Sequence, residues 1–378
     1  MKVVIAMDSF KGSMTSMEAG NAAREGVLAA RPDAEVIVRP LSDGGEGMTE
    51  ALMQGLGGER IFVEVSDPLG RKRCAEYCIA QDGRTAVIEM AQAAGLPLLS
   101  KEQQNPFLTT TYGVGEMIAD AIKKGCRNFL VGIGGSATND GGMGMLTALG
   151  YRFSDRKGKR LSGFGKDLGQ VQRMDDRETL PELKECSFKI ACDVDNPLCG
   201  KQGATFVYAP QKGLRVQDCS RTDADMASYA EVIEQYVGKS YRDVPGAGAA
   251  GGMGFAFASV LKGELLPGAD LVMQMTGLEK CVKDADIFLT GEGRMDGQSE
   301  RGKAPVKAAR LAKKYNCSVW VFAGQVTESA ERYPDLGIDA VFAISSVGIS
   351  VKESMQKDTA IKNMTEAVAR QFADAKKE

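Results

Sequence analysis

The chain has 378 residues, 43% hydrophobic and 26% charged, which is the composition of an ordinary globular protein with room for two domains. Its formal net charge of −3 excludes a broad electrostatic attraction to nucleic acid or to an anionic membrane surface. Nine cysteines without a C-x-x-C pair, no secretory leader and no bilayer-length apolar run predict a cytoplasmic protein with reduced thiols.

Strand-like apolar runs alternate with helix-like segments at the start of the chain, which favours an α/β fold. The predicted elements there are a strand at 3–7, a helix at 16–30, a strand at 35–39 and a helix at 48–56. Thr15 and Glu18 form the sequence pattern of a capping box at the first of these helices.

The same alternation returns near the end of the chain. The predicted elements are a strand at 287–289, a helix from Pro305 to about Tyr315, strands at 319–322 and 340–344, and a helix at 357–376. The middle differs, with β-type stretches at 72–79 and 85–90 and several glycine-rich loops. We therefore predict a Rossmann-like open parallel-sheet domain built from both chain ends, with a second α/β domain of mixed sheet inserted between them. The predicted division is 1–65 and 282–378 for the first domain and 66–281 for the second.

The glycine-rich stretch from Gly132 to Gly150, with the sequence GIGGSATNDGGMGMLTALG, follows a predicted strand at 128–131. Its seven glycines, Gly134 and Gly135 among them, leave backbone N–H groups open to an anion. The polar side chains in the same short turn are those of Ser136, Thr138, Asn139 and Asp140. Core packing does not need this combination, so we expect a phosphate, a metal or a small hydroxylated ligand here.

Two acidic loops follow the first two predicted strands. Asp8 and Lys11 lie where a strand ends and a helix begins, which is the ligand edge of an open parallel sheet. Asp43 and Glu46 have the same placement among glycines that could bring the backbone close to a ligand. Loop polarity with helix capping, and a flexible turn before a helix, remain the alternatives for these two loops.

A third acidic loop, Asp193-Val-Asp195-Asn196, follows a predicted strand at 188–192. Two carboxylates and an amide suit a hard cation with oxygen ligands, and they suit an Asx-turn before Pro197 equally well.

Two segments match the dinucleotide-binding fingerprint. Gly132-x-Gly134-x-x-Ala137 follows a predicted strand, with Asp155 about twenty residues further on, but Asn139–Gly142 interrupts the helix that should start there. Gly246-x-Gly248-x-x-Gly251 matches in letters and follows no convincing strand.

A Walker-like loop runs from Gly297 to Lys303, but Ala304 replaces the hydroxyl residue that holds Mg²⁺, so a true P-loop is not expected. Lys303 is still expected to contact a phosphate at a helix N-terminus. Upstream, Glu292, Arg294 and Asp296 alternate in a predicted loop that is too polar for a core; a solvated surface loop is the alternative.

The chain contains no histidine, so base and metal-ligand roles must fall on other side chains. Such a site suits phosphoryl transfer, in which the protein mainly positions the reacting groups and stabilises charge.

Taken together, these loops resemble the glycerate kinase type 1 family over nearly the whole chain. The matching stretches are Asp8–Lys11, Ser42–Gly47, Ile133–Gly142, Ala191–Leu198, Pro210–Gly213, Pro245–Gly252, Thr290–Gln298 and Gly302–Lys303. The departures are Met7, Met48 and Ala304, and none of them removes a charged motif residue.

The resemblance implies ATP-dependent phosphorylation of D-glycerate on the C2 hydroxyl, giving 2-phosphoglycerate, with an active site between two domains. A product phosphorylated at C3 remains the alternative. The implied partners are D-glycerate and ATP, without nucleic acid or membrane, and a homodimer is left open.

For that reaction the nucleotide would be held by two groups of residues. Mg²⁺ would be bound by carboxylates from the loops of Asp43 and Glu46 or of Asp193 and Asp195. The phosphate oxygens would accept hydrogen bonds in the glycine-rich loop, whose nucleotide-site residues are Gly134, Gly135, Ser136, Thr138, Asn139 and Asp140.

For the substrate, Asp193 is the first choice and Asp8 the second to orient the hydroxyl group and accept its proton. Arg294 or Lys11 would bind the carboxylate of glycerate, Arg294 by a bidentate pair. Glu292 and Asp296 are further substrate contacts, and Lys303 would neutralise charge on the transferring phosphoryl group.

Two other functions are weighed against this one. A dinucleotide-dependent hydroxy-acid oxidoreductase explains the pattern at 132–137 and leaves the other loops without a role. A non-catalytic sensor of a sugar acid leaves the acidic and basic loop residues without a purpose.

Overall fold

A computed structural model of the chain describes residues 1–44, 47–295, 304–326, 333–345 and 350–374. The chain divides into two compact units. The first unit comprises Met1–Asp43, Glu50–Leu56 and Ala269–Glu378, and the second comprises Gly44–Thr49 and Gly57–Gly268. The predicted domain division after residues 65 and 281, with an active site in the cleft, stays a prediction.

The described strands are numbered along the chain. They are β1 Lys2–Met7, β2 Glu35–Val38, β3 Gly58–Ser66, β4 Lys72–Ala80, β5 Thr85–Glu89, β6 Asn128–Gly132, β7 Arg152–Ser154, β8 Arg173–Asp175, β9 Ser187–Ala191, β10 Glu264–Leu266, β11 Ile287–Met295, β12 Ser318–Val326 and β13 Ala340–Ala343.

The described α-helices are numbered in the same way. They are α1 Ser16–Ala30, α2 Met48–Leu56, α3 Ala91–Ala94, α4 Tyr112–Lys123, α5 Met143–Ala148, α6 Ala204–Tyr208, α7 Cys219–Val237, α8 Ala249–Ser259, α9 Gly268–Met275, α10 Leu278–Val282, α11 Ala304–Lys313, α12 Val351–Ser354 and α13 Lys357–Asp374. No described helix is long and apolar enough to cross a lipid bilayer.

The sheet of the first unit is parallel, with the strand order β13-β12-β11-β1-β2. Alternate side chains of β1 pack into two different hydrophobic cores, because successive residues of a strand point to opposite faces of the sheet. Val3 and Ile5 pack in the cluster that contains α1 and α13, and Val4 packs in the cluster that contains α11. Both faces of the sheet are therefore covered by helices, and the prediction of a Rossmann-like domain built from both chain ends is confirmed.

Strand β11 is longer than the sequence predicts. It runs to Met295 because it lies between two strands, with Met7 opposite Gly291 on one side and Gln325 opposite Arg294 on the other. The expectation of a loop from Thr290 to Gly302 was wrong for residues 290–295, so Glu292 and Arg294 lie in a strand, and residues 296–302 lie outside the described residues.

The second unit contains a mixed six-stranded sheet of order β10-β9-β6-β5-β4-β3. The first four strands are parallel, and β4 and β3 are antiparallel to their neighbours. One buried cluster, which extends from Val65 to Leu261, packs this sheet against helices that include α4 and α7. The predicted mixed-sheet domain is confirmed.

Candidate active site

The carboxyl end of β1 carries the first predicted site residue. Asp8 follows Met7 directly, and its backbone N–H donates to the carbonyl of Gly291 in β11 at 2.9 Å. In the sheet, β2 lies on one side of β1, and β11, β12 and β13 follow one another on the other side. The strand order therefore reverses between β1 and β11. Ligands of open α/β sheets bind outside the carboxyl ends of the strands at such a reversal.

A cavity of about 400 Å³ lies at this point in the first unit. Its polar lining residues are Asp8, Ser9, Lys11, Ser13, Asp43, Glu292, Arg294, Gln325, Ser345 and Ser354. The structure thus brings together five predicted site residues from three separate segments: Asp8, Lys11, Asp43, Glu292 and Arg294. The cavity combines carboxylates with two cations, and Lys11 Nζ lies 3.7 Å from Asp43 Oδ2.

Ser16 holds the two acidic segments of this cavity in place. Its hydroxyl donates to the carbonyl of Met7 at 2.7 Å and accepts from the N–H of Leu41 at 3.0 Å. One side chain at the start of α1 therefore fixes the end of β1, before Asp8, and the segment that leads to Asp43. The predicted capping box of Thr15 and Glu18 starts this helix.

Asp8 has a strongly perturbed carboxyl group. Burial, together with the negative charges of Asp43 and Glu292, raises the pKa of Asp8 from 3.8 to about 7, against the opposing effects of the Ser9 N–H and Lys11. A carboxyl group with a pKa near neutrality can accept a proton from a substrate hydroxyl and return it.

The predicted anion-binding loop lies in the second unit, after β6. Gly134 and Gly135 are exposed, whereas the residues from Ser136 to Asp140 are buried. A Cβ on Gly132 would lie 2.7 Å from the carbonyl oxygen of Gly44, so this strand end needs glycine. Only the first part of the loop is open to a ligand.

The carboxylate of Asp140 is engaged in hydrogen bonds within the protein. It accepts from the N–H and the hydroxyl of Thr111, both at 2.7 Å, and from the N–H groups of Gly142 and Gly144, both at 3.2 Å. Burial raises the pKa of Asp140 although these hydrogen bonds act against the shift. In this structure Asp140 supports the loop from inside. A direct contact with the nucleotide stays a prediction.

Lys212 is a residue of this region that sequence reasoning missed. Its side chain is 2% exposed, and its Nζ donates to Ser136 Oγ at 2.6 Å and to the carbonyl of Thr138 at 2.7 Å. Burial lowers the pKa of Lys212 from 10.5 to about 7, and the charge of Asp140 opposes this shift. The stretch Pro210–Gly213 belongs to the resemblance, but a lysine before a glycine gives no sign of burial.

The third acidic loop also belongs to the second unit. Asp193 and Asp195 are exposed, and Asp193 Oδ1 accepts from the N–H of Gly268 at 3.0 Å. The amide of Asn196 donates to the carbonyl of Gln202 at 2.8 Å and accepts from the hydroxyl of Tyr208. The loop is therefore held at the amide of Asn196 and at one carboxylate oxygen of Asp193, and both aspartates are exposed.

The dinucleotide fingerprint at 132–137 lacks its structural context. The next helix, α5, begins only at Met143, and Asp155 accepts from the N–H groups of Lys157 and Lys159 in a turn after β7. A fingerprint would require a helix at its last glycine position and an acidic residue positioned for a ribose.

Comparison with known proteins decides the family. The family model described as the glycerate kinase family matches residues 3–373. The chain belongs to the glycerate kinase family. This confirms the resemblance expected from the eight motif stretches.

Relatives of the glycerate kinase family match along almost their full length. A protein of Halalkalibacterium halodurans named glycerate kinase is 42% identical over 98% of this chain and 97% of its own. A protein of Escherichia coli named glycerate 2-kinase is 42% identical over 92% of each chain. A crystal structure from Salmonella typhimurium LT2, described as a candidate glycerate kinase 2, has a TM-score of 0.91 at 38% identity, covering 100% of this chain and 98% of that one.

Three predicted site residues, Glu46, Asp296 and Lys303, lie outside the described residues. Within the described ranges, no group of three or more histidine, cysteine, aspartate or glutamate side chains is arranged to hold a metal ion. The roles assigned to individual residues of this glycerate kinase family member stay predictions.

Proposed function

We propose that this protein transfers the γ-phosphoryl group of ATP to the C2 hydroxyl of D-glycerate, giving 2-phosphoglycerate and ADP. The observation that carries the proposal is the cavity at the β1/β11 reversal, where Asp8, Glu292 and Arg294 line one space in a chain of this family. The name of the Escherichia coli relative, glycerate 2-kinase, supports the choice of C2.

Glycerate presents one carboxylate and two hydroxyl groups, and the cavity offers partners of matching chemistry. Arg294 or Lys11 would bind the carboxylate, Arg294 through two parallel N–H donors. Glu292, buried at the edge of the cavity, would accept from a hydroxyl group, and Asp296 remains a further substrate contact.

We propose Asp8 as the group that orients the C2 hydroxyl and takes its proton, ahead of Asp193. Asp8 lines the cavity and has a pKa of about 7, whereas Asp193 is exposed and has one oxygen engaged by the Gly268 N–H. A base is most effective when its pKa lies near the operating pH.

Mg²⁺ suits the donors present, because the cavity supplies carboxylate oxygens whose mutual repulsion a cation would relieve. Asp43 would hold the ion, with Glu46 and Asp195 as the other candidates. A bound Mg²⁺ would neutralise charge on the β- and γ-phosphates.

The phosphates of ATP would accept hydrogen bonds from the exposed part of the glycine-rich loop, Gly134, Gly135 and Ser136. We propose that Thr138, Asn139 and Asp140, which are buried, maintain the loop, and this proposal replaces the direct nucleotide contacts predicted for them from the sequence. Lys303 would stabilise the transferring phosphoryl group. The location of the active site between two domains, the cytoplasmic location and a homodimer are further parts of this proposal.

The test is to mix the purified protein with D-glycerate, ATP and Mg²⁺ and to identify the product by phosphorus NMR. The expected product is 2-phosphoglycerate. A 3-phosphoglycerate signal would contradict the C2 assignment and keep the kinase, and a folded sample that consumes no ATP would contradict the kinase itself. Light scattering of the same sample gives its mass and tests the homodimer.

A further inference from the structure

Lys212 forms a cationic support under the glycine-rich loop. It lies in the short turn Pro210–Lys212, which ends at Gly213 with φ +97°. A Cβ at Gly213 would lie 2.0 Å from the carbonyl oxygen of Gln104, so this turn has little freedom to move. From it the side chain of Lys212 reaches Ser136 Oγ and the Thr138 carbonyl inside the protein.

The chemistry of the two groups determines which of them donates the hydrogen bond. An ammonium group only donates hydrogen bonds, whereas a hydroxyl group donates one and accepts others. Because Lys212 donates to Ser136 Oγ, the hydroxyl proton of Ser136 has to point elsewhere. Gly134 and Gly135, on the neighbouring part of the loop, are exposed to solvent, and Ser136 itself is 9% exposed.

We propose that Lys212 is a positioning residue that fixes the Ser136 hydroxyl as a hydrogen-bond donor to a phosphate bound at residues 134–136. The inference rests on the proposed function in assigning that phosphate to ATP or ADP. Both the charge of Asp140 and an arriving phosphate favour the ammonium form of Lys212.

Two buried side-chain oxygens of the loop provide a second observation. Thr138 Oγ1 and Asn139 Oδ1 are buried and have no hydrogen-bond partner among the described residues. A buried polar atom without a partner destabilises the fold, because it has lost its hydrogen bonds to water and gained none in exchange. The loop is therefore held in a conformation that leaves two polar atoms without a partner, and Lys212 is one of the groups that hold it, through Ser136 and Thr138.

The experiment compares Lys212→Met, Ser136→Ala and the double variant in the full-length chain. Calorimetry measures ADP binding without glycerate, steady-state kinetics measure KM for ATP and for D-glycerate, and thermal unfolding monitors the fold. Lys184→Met is the matched control, because Lys184 is exposed in the same unit.

We expect each single variant to weaken ADP binding about tenfold, which corresponds to the loss of one charge-assisted hydrogen bond. The double variant should bind ADP no more than about twofold more weakly than Lys212→Met, because both changes remove one interaction. KM for ATP should rise while KM for D-glycerate stays within about twofold, and the control should behave as wild type.

Multiplicative losses in the double variant, or equal increases in the two KM values, would show that Lys212 only stabilises the fold and would overturn the inference. If Lys212→Met does not fold, Ser136→Ala carries the test, and unchanged ADP binding overturns the inference. A wild-type protein that binds ADP without phosphorylating glycerate would contradict the proposed function, while the binding comparison would still decide this inference.

Discussion

The carboxyl group of Asp8 combines a partly buried position with two acidic neighbours, and this combination distinguishes it from Asp193. Both aspartates follow the carboxyl end of a parallel strand, β1 in one case and β9 in the other. Position along a strand therefore does not separate the two candidates for the base. Their surroundings do, because Asp8 lines the cavity and Asp193 is exposed.

We predict that Asp8→Asn lowers kcat by about 10²–10⁴, the range that a positioned proton acceptor contributes. Asp193→Asn should lower kcat by less than about tenfold. Steady-state kinetics with saturating ATP and D-glycerate measure both, and thermal unfolding checks that each variant is folded. A larger loss in Asp193→Asn than in Asp8→Asn would return the role of base to Asp193.

Glu234 offers a stability test at a single residue. It lies in α7 and accepts hydrogen bonds from the Arg242 side chain at 2.6 and 3.0 Å and from the Tyr241 N–H at 2.8 Å. Burial alone would raise the pKa of Glu234, but these hydrogen bonds, together with that from Ser240, outweigh burial and hold it at about 2.

Because the folded pKa lies below the unfolded value of about 4.5, the unfolded chain binds more protons between pH 4.5 and 2. The stabilisation is complete above pH 4.5 and is lost as the pH falls toward 2. Glu234→Gln should lower the free energy of unfolding at pH 7 by on the order of 2 kcal/mol and show little difference near pH 2. Urea unfolding across this range measures it, with exposed Glu231→Gln as control; a constant difference at every pH would contradict the assignment.

At the scale of elements, α1 and α13 pack closely on one face of the parallel sheet. Gly26 makes this approach possible, since a Cβ there would lie 2.5 Å from the carbonyl oxygen of Thr365 and 2.8 Å from Val368 Cβ. Thr365 Oγ1 also donates to the carbonyl of Ala22 at 3.1 Å. At Gly26 the backbone of α1 therefore lies directly against α13.

We predict that Gly26→Ala destabilises the protein by about 1–3 kcal/mol, because overpacking outweighs the roughly 1 kcal/mol that alanine gains in helix propensity. Chemical denaturation measures the change. Glu25→Ala, at the exposed neighbouring position of the same helix, should stay within about 0.5 kcal/mol of wild type. A neutral or stabilising Gly26→Ala would mean that α13 can move away without cost.

The sequence predicted those features that depend on nearby residues. The capping box at Thr15 and the strand before Asp8 follow from local spacing, and both are present. The length of β11 was missed because it depends on two neighbouring strands far away in the chain. The burial of Lys212 was missed for a similar reason, since its partner Ser136 lies 76 positions away. Asp140 shows a third limit: the same carboxylate could serve a ligand or the loop, and only its hydrogen bonds distinguish the two.

At the scale of the whole molecule, the second unit is nearly one continuous segment, and its buried cluster lies entirely between Val65 and Leu261. We predict that a fragment of residues 57–268 unfolds in a single cooperative transition in urea and has no kinase activity. Circular dichroism and near-ultraviolet spectra across the urea transition measure the cooperativity of unfolding. A fragment with secondary structure but no cooperative transition would show that the second unit needs residues from outside it.

The first unit has the opposite arrangement, because β1 lies between β2, which follows at once, and β11, which begins about 280 residues later. At ribosomal rates of about 5–20 residues per second, β1 waits roughly 15–60 s for that neighbour. Throughout this time the newly made β1–α1–β2 segment presents an apolar strand edge and a helix face without α13, while most of the chain made in this interval belongs to the second unit. The yield of folded protein in a cell should therefore depend on chaperones that shield the nascent N-terminal segment, more than on the stability of the finished molecule.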